Sequence, residues 1–178
     1  MGIPTLLSTN TASNDSAVTI SANITSSYDE YMFVFTDIGP ATNGEHFSFQ
    51  VNGAGESGGN EVMTTTAFAA QHTEGGADAQ VAYQASLDQA QGTGYLALAM
   101  TIGNESDESA AGILHLFSPA STTYVKHFYS RFSNYHGSVY AIDFYAAGYI
   151  NTTTAIDEII FQMTSGNFDG VIQMYGIS

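Results

Sequence analysis

The 178-residue sequence has no cysteine and no tryptophan, only three prolines, and only two basic residues, Lys126 and Arg131. Without cysteine, the chain is not a disulfide-stabilised secreted scaffold and offers no thiolate to zinc. A chain of this length buries roughly 70% of its unfolded surface on folding, so it needs no covalent cross-links. We therefore expect one domain spanning residues 1–178.

The shortage of basic residues leaves 17 acidic side chains almost uncompensated, with a formal net charge of −15 at pH 7. A field of this sign repels phosphate, which predicts that neither nucleic acid nor an anionic membrane is a partner. Lys126 and Arg131 are an odd number of positions apart, so on one unbroken strand they point to opposite faces and form no basic patch. We expect each to pair with its own carboxylate.

Signals for export and membrane insertion are also missing. The start, Met1 to Leu6, lacks the basic segment of a secretory signal. The longest apolar run, Tyr95 to Ile102, is far shorter than the roughly 18 residues of a membrane-spanning helix. We expect neither a membrane anchor nor a cleaved leader.

Alternation of apolar and polar residues recurs along the whole chain, which is typical of half-buried strands. It predicts ten strands, which contain or span Val18 to Ile24, Tyr31 to Phe35, Phe47 to Val51, Met63 to Phe68, Tyr95 to Ile102, Gly112 to Phe117, Tyr124 to Phe132, Val139 to Tyr149, Ile156 to Met163 and Val171 to Ile177. Turn formers such as Asn52-Gly53 and Ser118-Pro119 separate them. We predict an all-β, single-domain β-sandwich of jelly-roll type.

Some segments allow finer predictions. Tyr31 to Phe35 is apolar on both faces, which indicates a central strand, whereas Phe47, Phe49 and Val51 alternate with polar residues, which indicates a strand buried on one side. Ala77 to Gln91 is rich in Ala and Gln and fits a helix, but Val81, Tyr83, Ala85 and Leu87 alternate there, so a strand is favoured.

Two glycine motifs resemble catalytic or nucleotide-binding signatures. Gly53 to Gly58 matches G-x-G-x-x-G, and Gly55 to Gly59 matches G-x-S-x-G. Both signatures require a helix directly after the loop, and another strand pattern follows here. We therefore interpret the segment as a hairpin loop and expect no enzyme activity and no cofactor.

Metal-binding patterns are weak. The five histidines, at positions 46, 72, 115, 127 and 136, lack zinc-site spacing, and His115 lies in a strand apolar on both faces, which favours a hydrogen-bonded core histidine. Glu105, Asp107 and Glu108 could bind calcium through carboxylate oxygens, but their loop lacks the ligand order of a dedicated calcium site. A solvated acidic loop is favoured.

Aromatic and apolar residues supply the interface candidates. Tyr129, Tyr135, Tyr140, Tyr145 and Tyr149 could form a surface for subunit packing or carbohydrate stacking, or could be core and rim residues of a sandwich. Residues 1–10, with Ile3, Leu6 and Leu7, are either a docking arm or the first strand.

Four stretches carry a family resemblance: Ser27 to Phe35 (SYDEYMFVF), Leu114 to Pro119 (LHLFSP), Ser121 to Phe128 (STTYVKHF) and Ala147 to Ile156 (AGYINTTTAI). With the closing Ser165-Gly166-Asn167 and Met174-Tyr175-Gly176, they resemble small virion structural proteins of marine tailed phages, including cyanophages. The resemblance implies a non-enzymatic virion protein of the capsid surface or tail, and it transfers no catalytic residue.

Within that resemblance, we expect a decoration (cement or knob) protein on the outer capsid surface. Its partners would be the major capsid protein and copies of itself. Packed DNA inside the head would repel a net charge of −15, and no repetitive shaft precedes Ser27. The alternative is a tail or tail-fibre receptor-binding module that recognises host surface carbohydrate.

Overall fold

The computed structural model describes residues 2–178, which form strands, turns and loops and no helix. Within these residues there are thirteen strands: β1 Thr5–Asp15, β2 Val18–Ile20, β3 Glu30–Pro40, β4 Glu45–Gly53, β5 Met63–Thr73, β6 Ala79–Tyr83, β7 Ala90–Gly92, β8 Leu96–Ile102, β9 Ala110–Phe117, β10 Lys126–His136, β11 Tyr140–Ile150, β12 Ile156–Met163 and β13 Phe168–Ile177. The predicted all-β fold is confirmed, whereas the jelly-roll order stays a prediction. None of the described residues forms a helix long and apolar enough to cross a membrane.

All strand pairs are antiparallel, and the strands form one sheet that folds over into two layers. The first layer has the order β1-β13-β3-β9-β10-β11-β5, and β6 and β7 pair with the far edge of β5. The second layer has the order β8-β4-β12-β2. A single pair, His136 with Ile102, joins β10 to β8 and connects the layers.

Phenylalanine rings fill the space between the layers. The ring centroid of Phe47, in the second layer, lies 5.6 Å from that of Phe35 and 6.2 Å from that of Phe132. Phe35 and Phe132 both belong to the first layer. Phe161 and Phe168 are 6.0 and 5.4 Å from Phe47. All five rings are almost fully buried, so the two-residue period of each strand delivers its apolar side chains to one core.

The burial of β3 and β4 is the reverse of the prediction, in which β3 was buried on both faces and β4 on one. Met32 and Val34 of β3 are only half-buried, so this strand has one inner and one outer face. β4 is buried on both faces, because its outer face is covered by loops. Gln50 attaches those loops, since its Nε2 donates to the carbonyls of Glu61, Thr93 and Gly94 at 2.9 to 3.2 Å.

Strand positions otherwise follow the predicted segments, with three differences at the edges. The first ten residues enter a strand at Thr5, and β2 ends at Ile20 although the alternation continues to Ile24. Ala77 to Gln91 contains two short strands, β6 and β7, rather than one strand or a helix. The glycine-rich segment is the loop between β4 and β5, with Gly55 at φ 84° and Gly58 at φ 100°.

The two basic side chains point to opposite faces of β10, as predicted, but only one pairs with a carboxylate. Arg131 donates to both carboxylate oxygens of Asp143. Lys126 is fully buried and donates from Nζ to the carbonyl of Thr152 at 3.0 Å, so the prediction of a carboxylate partner was wrong for this residue. Burial lowers the pKa of Lys126, and the charge of Glu61 partly opposes that shift.

We predict that Phe47→Ala lowers the free energy of unfolding by about 3–5 kcal/mol, because the substitution leaves a cavity among four neighbouring rings. The control is Phe68→Ala, at a ring that is 42% exposed, with an expected loss of about 1 kcal/mol or less. Urea unfolding followed by circular dichroism measures both. Equal losses would contradict the assigned core.

Candidate functional site

The outward side of β5, β9, β10 and β11 presents a group of exposed and half-buried aromatic side chains. Alternate residues of these strands point into the core, so the intervening ones share the outer side. We call these side chains the aromatic face; they are Thr64, Thr66, Phe68, Ala70, His72, Ala111, Ile113, His115, Phe117, His127, Tyr129, Arg131, Ser133, Tyr135, Ala141, Asp143, Tyr145, Ala147 and Tyr149.

A cross-strand row of stacked groups runs over the face. Strand register aligns Arg131 with Tyr145, and Tyr145 with Phe68. The Tyr145 and Phe68 rings are parallel within 6° at 4.7 Å, and the Arg131 guanidinium carbon lies 5.0 Å from the Tyr145 centroid. Cation–π attraction and ring stacking therefore fix the orientation of the Arg131, Tyr145 and Phe68 side chains.

A second row contains His115, Phe117 and Tyr129. The Tyr129 ring stacks on His115 at 4.6 Å and 20°, and Phe117 lies 5.7 Å from Tyr129. His115 Nδ1 is hydrogen-bonded to the Glu30 carboxylate at the start of β3. His115 is thus a half-buried surface residue, and its predicted place in the core was wrong.

Small residues beside the first row leave a groove. Thr66 and Ala147 form its floor, in cross-strand register with Tyr129. All three residues line two adjoining depressions of about 470 and 220 Å³. Tyr145 and Tyr149 flank Ala147 on β11, and their Cα atoms are four residues apart, about 14 Å at the rise of an extended strand. The space between the two rings is on the scale of an extended peptide or a sugar chain.

The side chains of the aromatic face carry little net charge. Asp143 is the one acidic residue among them, and Arg131 donates to its carboxylate in hydrogen bonds of 3.0 and 2.9 Å. Glu30, at the border on β3, is hydrogen-bonded to His115. The hydrogen bonds from Arg131, with a smaller contribution from the guanidinium charge, lower the pKa of Asp143, although burial opposes the shift. The face therefore carries almost no net charge on a strongly acidic protein.

The predicted tyrosines divide between the two sides of the layer. Tyr129, Tyr145 and Tyr149 belong to the aromatic face, and Tyr135 lies at its end, where the neighbouring Glu74 carboxylate raises the pKa of the phenol. Tyr140 points to the opposite side and packs against the core, beside His136 at 5.3 Å. Tyr140 therefore does not share a surface with the other tyrosine candidates, and it fits the alternative of a core and rim residue.

The N-terminal candidates lie at the other edge of the first layer. Ile3 and Leu6 are 88% and 51% exposed, and Leu7 packs against the core. Leu6 pairs with Tyr175, five strands away from β11. The structure therefore does not bring Ile3, Leu6 and Leu7 together with the tyrosines of the aromatic face.

The carboxylates of Glu105, Asp107 and Glu108 do not form a ligand set. Among residues 2–178, no three His, Asp or Glu side chains are grouped so that they could hold a metal ion. The loop instead closes on itself, since the Glu105 backbone N–H donates to the Glu108 carboxylate at 2.8 Å.

A cavity of about 630 Å³ lies over the second layer, between β4 and the segment that contains β7. His46 lines it, and its Nδ1 accepts from the Thr101 backbone N–H at 2.9 Å. Burial is the main cause of the lowered pKa of His46. Ser48 donates to the Gln162 carbonyl and not to His46, so these two side chains do not form a nucleophile and base pair.

Sequence reasoning missed Phe68 and Phe117 as members of the face. Their positions carried a signal, because Thr64, Thr66 and Phe68 alternate with the more buried Thr65 and Ala67. The pairing of β5 with β11, which sets Phe68 against Tyr145, depends on a contact distant in sequence and has no local signature.

Comparison with protein-family models, curated proteins and solved structures finds no match to this chain. The aromatic face is therefore interpreted from its own chemistry.

We predict that the titration midpoint of Asp143 lies below the ordinary aspartate value of about 3.9. A lowered carboxyl pKa contributes stability above the unfolded value, and this contribution disappears as the pH falls through the folded value. Arg131→Met should raise the midpoint, and Arg131→Lys should raise it less, because lysine keeps the charge but not the paired hydrogen bonds. Carboxyl NMR titration measures the midpoints; equal values in wild type and Arg131→Met would contradict the assignment.

Proposed function

We propose that this protein is a non-enzymatic structural component of a tailed-phage virion that decorates the outer surface of the capsid. The aromatic face carries the proposal, because a surface rich in tyrosine and phenylalanine, with one arginine and almost no net charge, has the composition of a protein interface. Exposed apolar patches on soluble domains commonly mark such contacts. The resemblance to phage virion proteins supports the same class.

Docking on the capsid through the aromatic face is compatible with the positions of the acidic residues. Tyr129 and Tyr145 offer rigid anchors beside the groove, and such anchors supply much of the binding energy at protein interfaces. The acidic residues elsewhere would stay in water, where burial does not penalise them. Inside the head the same carboxylates would face packed DNA, which is why the outer surface is favoured.

We also propose that the strand order is that of a jelly roll with two insertions. Four sequential pairs, β1/β2, β3/β4, β8/β9 and β12/β13, each place one strand in each layer, in the matching orders β1-β13-β3-β9 and β2-β12-β4-β8. This supports eight strands arranged as two Greek keys. The remaining strands, β5 to β7 and β10 to β11, then extend one layer, and they carry most of the aromatic face.

A receptor-binding module of the tail is the second candidate, and the groove favours it. The Cα atoms of Tyr145 and Tyr149 are about 14 Å apart along β11, with Ala147 between them, a spacing that leaves room for a pyranose ring. Aromatic rings beside hydroxyl groups such as that of Thr66 are suited to sugar recognition. In this case the partner is host surface carbohydrate.

Capsid decoration predicts a copy number comparable to that of the major capsid protein. Quantitative mass spectrometry of purified virions measures the ratio, and immunogold labelling locates the protein. High abundance with labelling over the head supports decoration. Low abundance with labelling confined to the tail rejects it in favour of the receptor-binding module.

Tyr145→Glu should weaken binding to undecorated capsids by about 30-fold or more, because it removes an aromatic anchor worth about 2 kcal/mol and adds a second carboxylate beside the Arg131–Asp143 pair. Ser165→Glu is the matched control, since it adds the same charge at an exposed turn between β12 and β13 and should leave binding unchanged. Co-sedimentation with the capsids measures both. Wild-type binding by Tyr145→Glu would exclude the aromatic face as the docking surface.

A further inference from the structure

The strand β6 forms an open edge of the first layer. Two hydrogen bonds bracket its pairing with β5, from Thr73 N to the Asp78 carbonyl and from Gln84 N to the Ala67 carbonyl, both 2.9 Å. Since bonded positions alternate in an antiparallel pair, Gln80 and Ala82 bond to β5. The backbone N–H and C=O groups of Ala79, Val81 and Tyr83 therefore point outward, and within residues 2–178 β6 pairs with β5 alone.

This edge lacks the features that usually prevent strand pairing between molecules. The sequence Ala79-Gln80-Val81-Ala82-Tyr83 contains no charge and no proline, its register with β5 has no bulge, and Val81 is 73% exposed. The opposite edge, β1, is interrupted by irregularities between Leu6 and Ser8 and between Ala12 and Asp15. β6 is thus the less protected of the two edges.

We propose that β6 pairs antiparallel with β6 of a second copy of this chain, about a twofold axis at Val81. The register sets Val81 against Val81, Ala79 against Tyr83 and Gln80 against Ala82, so large and small side chains alternate across the axis. The outward groups of Ala79, Val81 and Tyr83 all meet their counterparts, and each such pair exchanges two backbone hydrogen bonds. The sequence of β6 is therefore complementary to itself.

The local charge permits self-association at this edge. Two molecules of net charge −15 repel one another, so they can approach closely only where carboxylates are few. In the proposed register Asp78 lies against Gln84 of the second copy, and no acidic residue of β6 meets another, because β6 has none. Glu74, Asp78 and Asp88 flank the paired strands, so added salt should strengthen association by screening them.

The twofold axis is perpendicular to the sheet, so both copies present the aromatic face on the same side. The face of one molecule would continue through Phe68 and Tyr83 across the axis into the face of the second. The pairing holds whatever the aromatic face contacts, and it goes beyond the proposed function.

Sedimentation velocity of the full chain, over a range of concentrations and of NaCl, tests the pairing. The expected mass is twice that of the 18.9 kDa monomer, with tighter association at higher salt. Val81→Pro should give a monomer, because it removes an outward N–H without breaking a bond to β5. Val81→Thr keeps that N–H and the β-branched shape and should stay dimeric.

A monomeric wild type at every concentration, or a dimeric and folded Val81→Pro, would overturn the pairing. If circular dichroism shows that Val81→Pro is unfolded, amide hydrogen exchange of the wild type tests the β6 pairing instead. The amides of Val81 and Tyr83 should exchange at least about tenfold more slowly above the dimerisation concentration than below it. Equal rates at both concentrations would reject the proposal.

Discussion

The five phenylalanine rings packed between the two layers of the sheet determine which strand residues point outward. Phe132 of β10 meets Phe35 and Phe47 in that cluster, with centroids 5.0 and 6.2 Å apart. Because side chains alternate along a strand, the burial of Phe132 turns Arg131 outward, and the burial of Phe144 does the same for Tyr145. The aromatic face is therefore a consequence of the core behind it.

The distribution of charge follows from how few cations the chain has. Lys126 is buried against the Thr152 carbonyl, and Arg131 is bound to Asp143, so both cationic side chains are engaged within the domain. A molecule that approaches finds no free cationic side chain on the described surface, and the carboxylates lie mostly outside the aromatic face and the β6 edge. This division favours partners that bind through apolar and aromatic contact over polyanions, and it limits where two copies can touch.

Much of the fold was predictable because a two-residue period is a local property. The predicted segments overlap strands throughout the chain, and Lys126 and Arg131 point to opposite sides as their spacing requires. The burial of β4 on both faces was not predictable, because it depends on Gln50 binding loops that are distant in sequence. No local sequence pattern predicts that loops cover the outer face of β4.

The candidate site was predictable only in part, for the same reason. Tyr140 and Tyr145 are an odd number of positions apart on one strand. Their spacing alone therefore predicts that the two side chains point to opposite faces of the sheet. The stacking of Phe68 on Tyr145 and of Tyr129 on His115 requires the registers of β5 with β11 and of β9 with β10. Side-chain direction is thus local information, whereas cross-strand neighbours are set by the whole topology.

Cryo-electron microscopy of the intact virion tests most directly whether this acidic domain binds the shell through its aromatic face. We expect ordered density for the domain on the outside of the capsid, with β5, β9, β10 and β11 turned towards the shell and Tyr129 and Tyr145 at the contact. Density for the domain at the tail alone, or on the capsid with the aromatic face turned to solvent, would contradict the account.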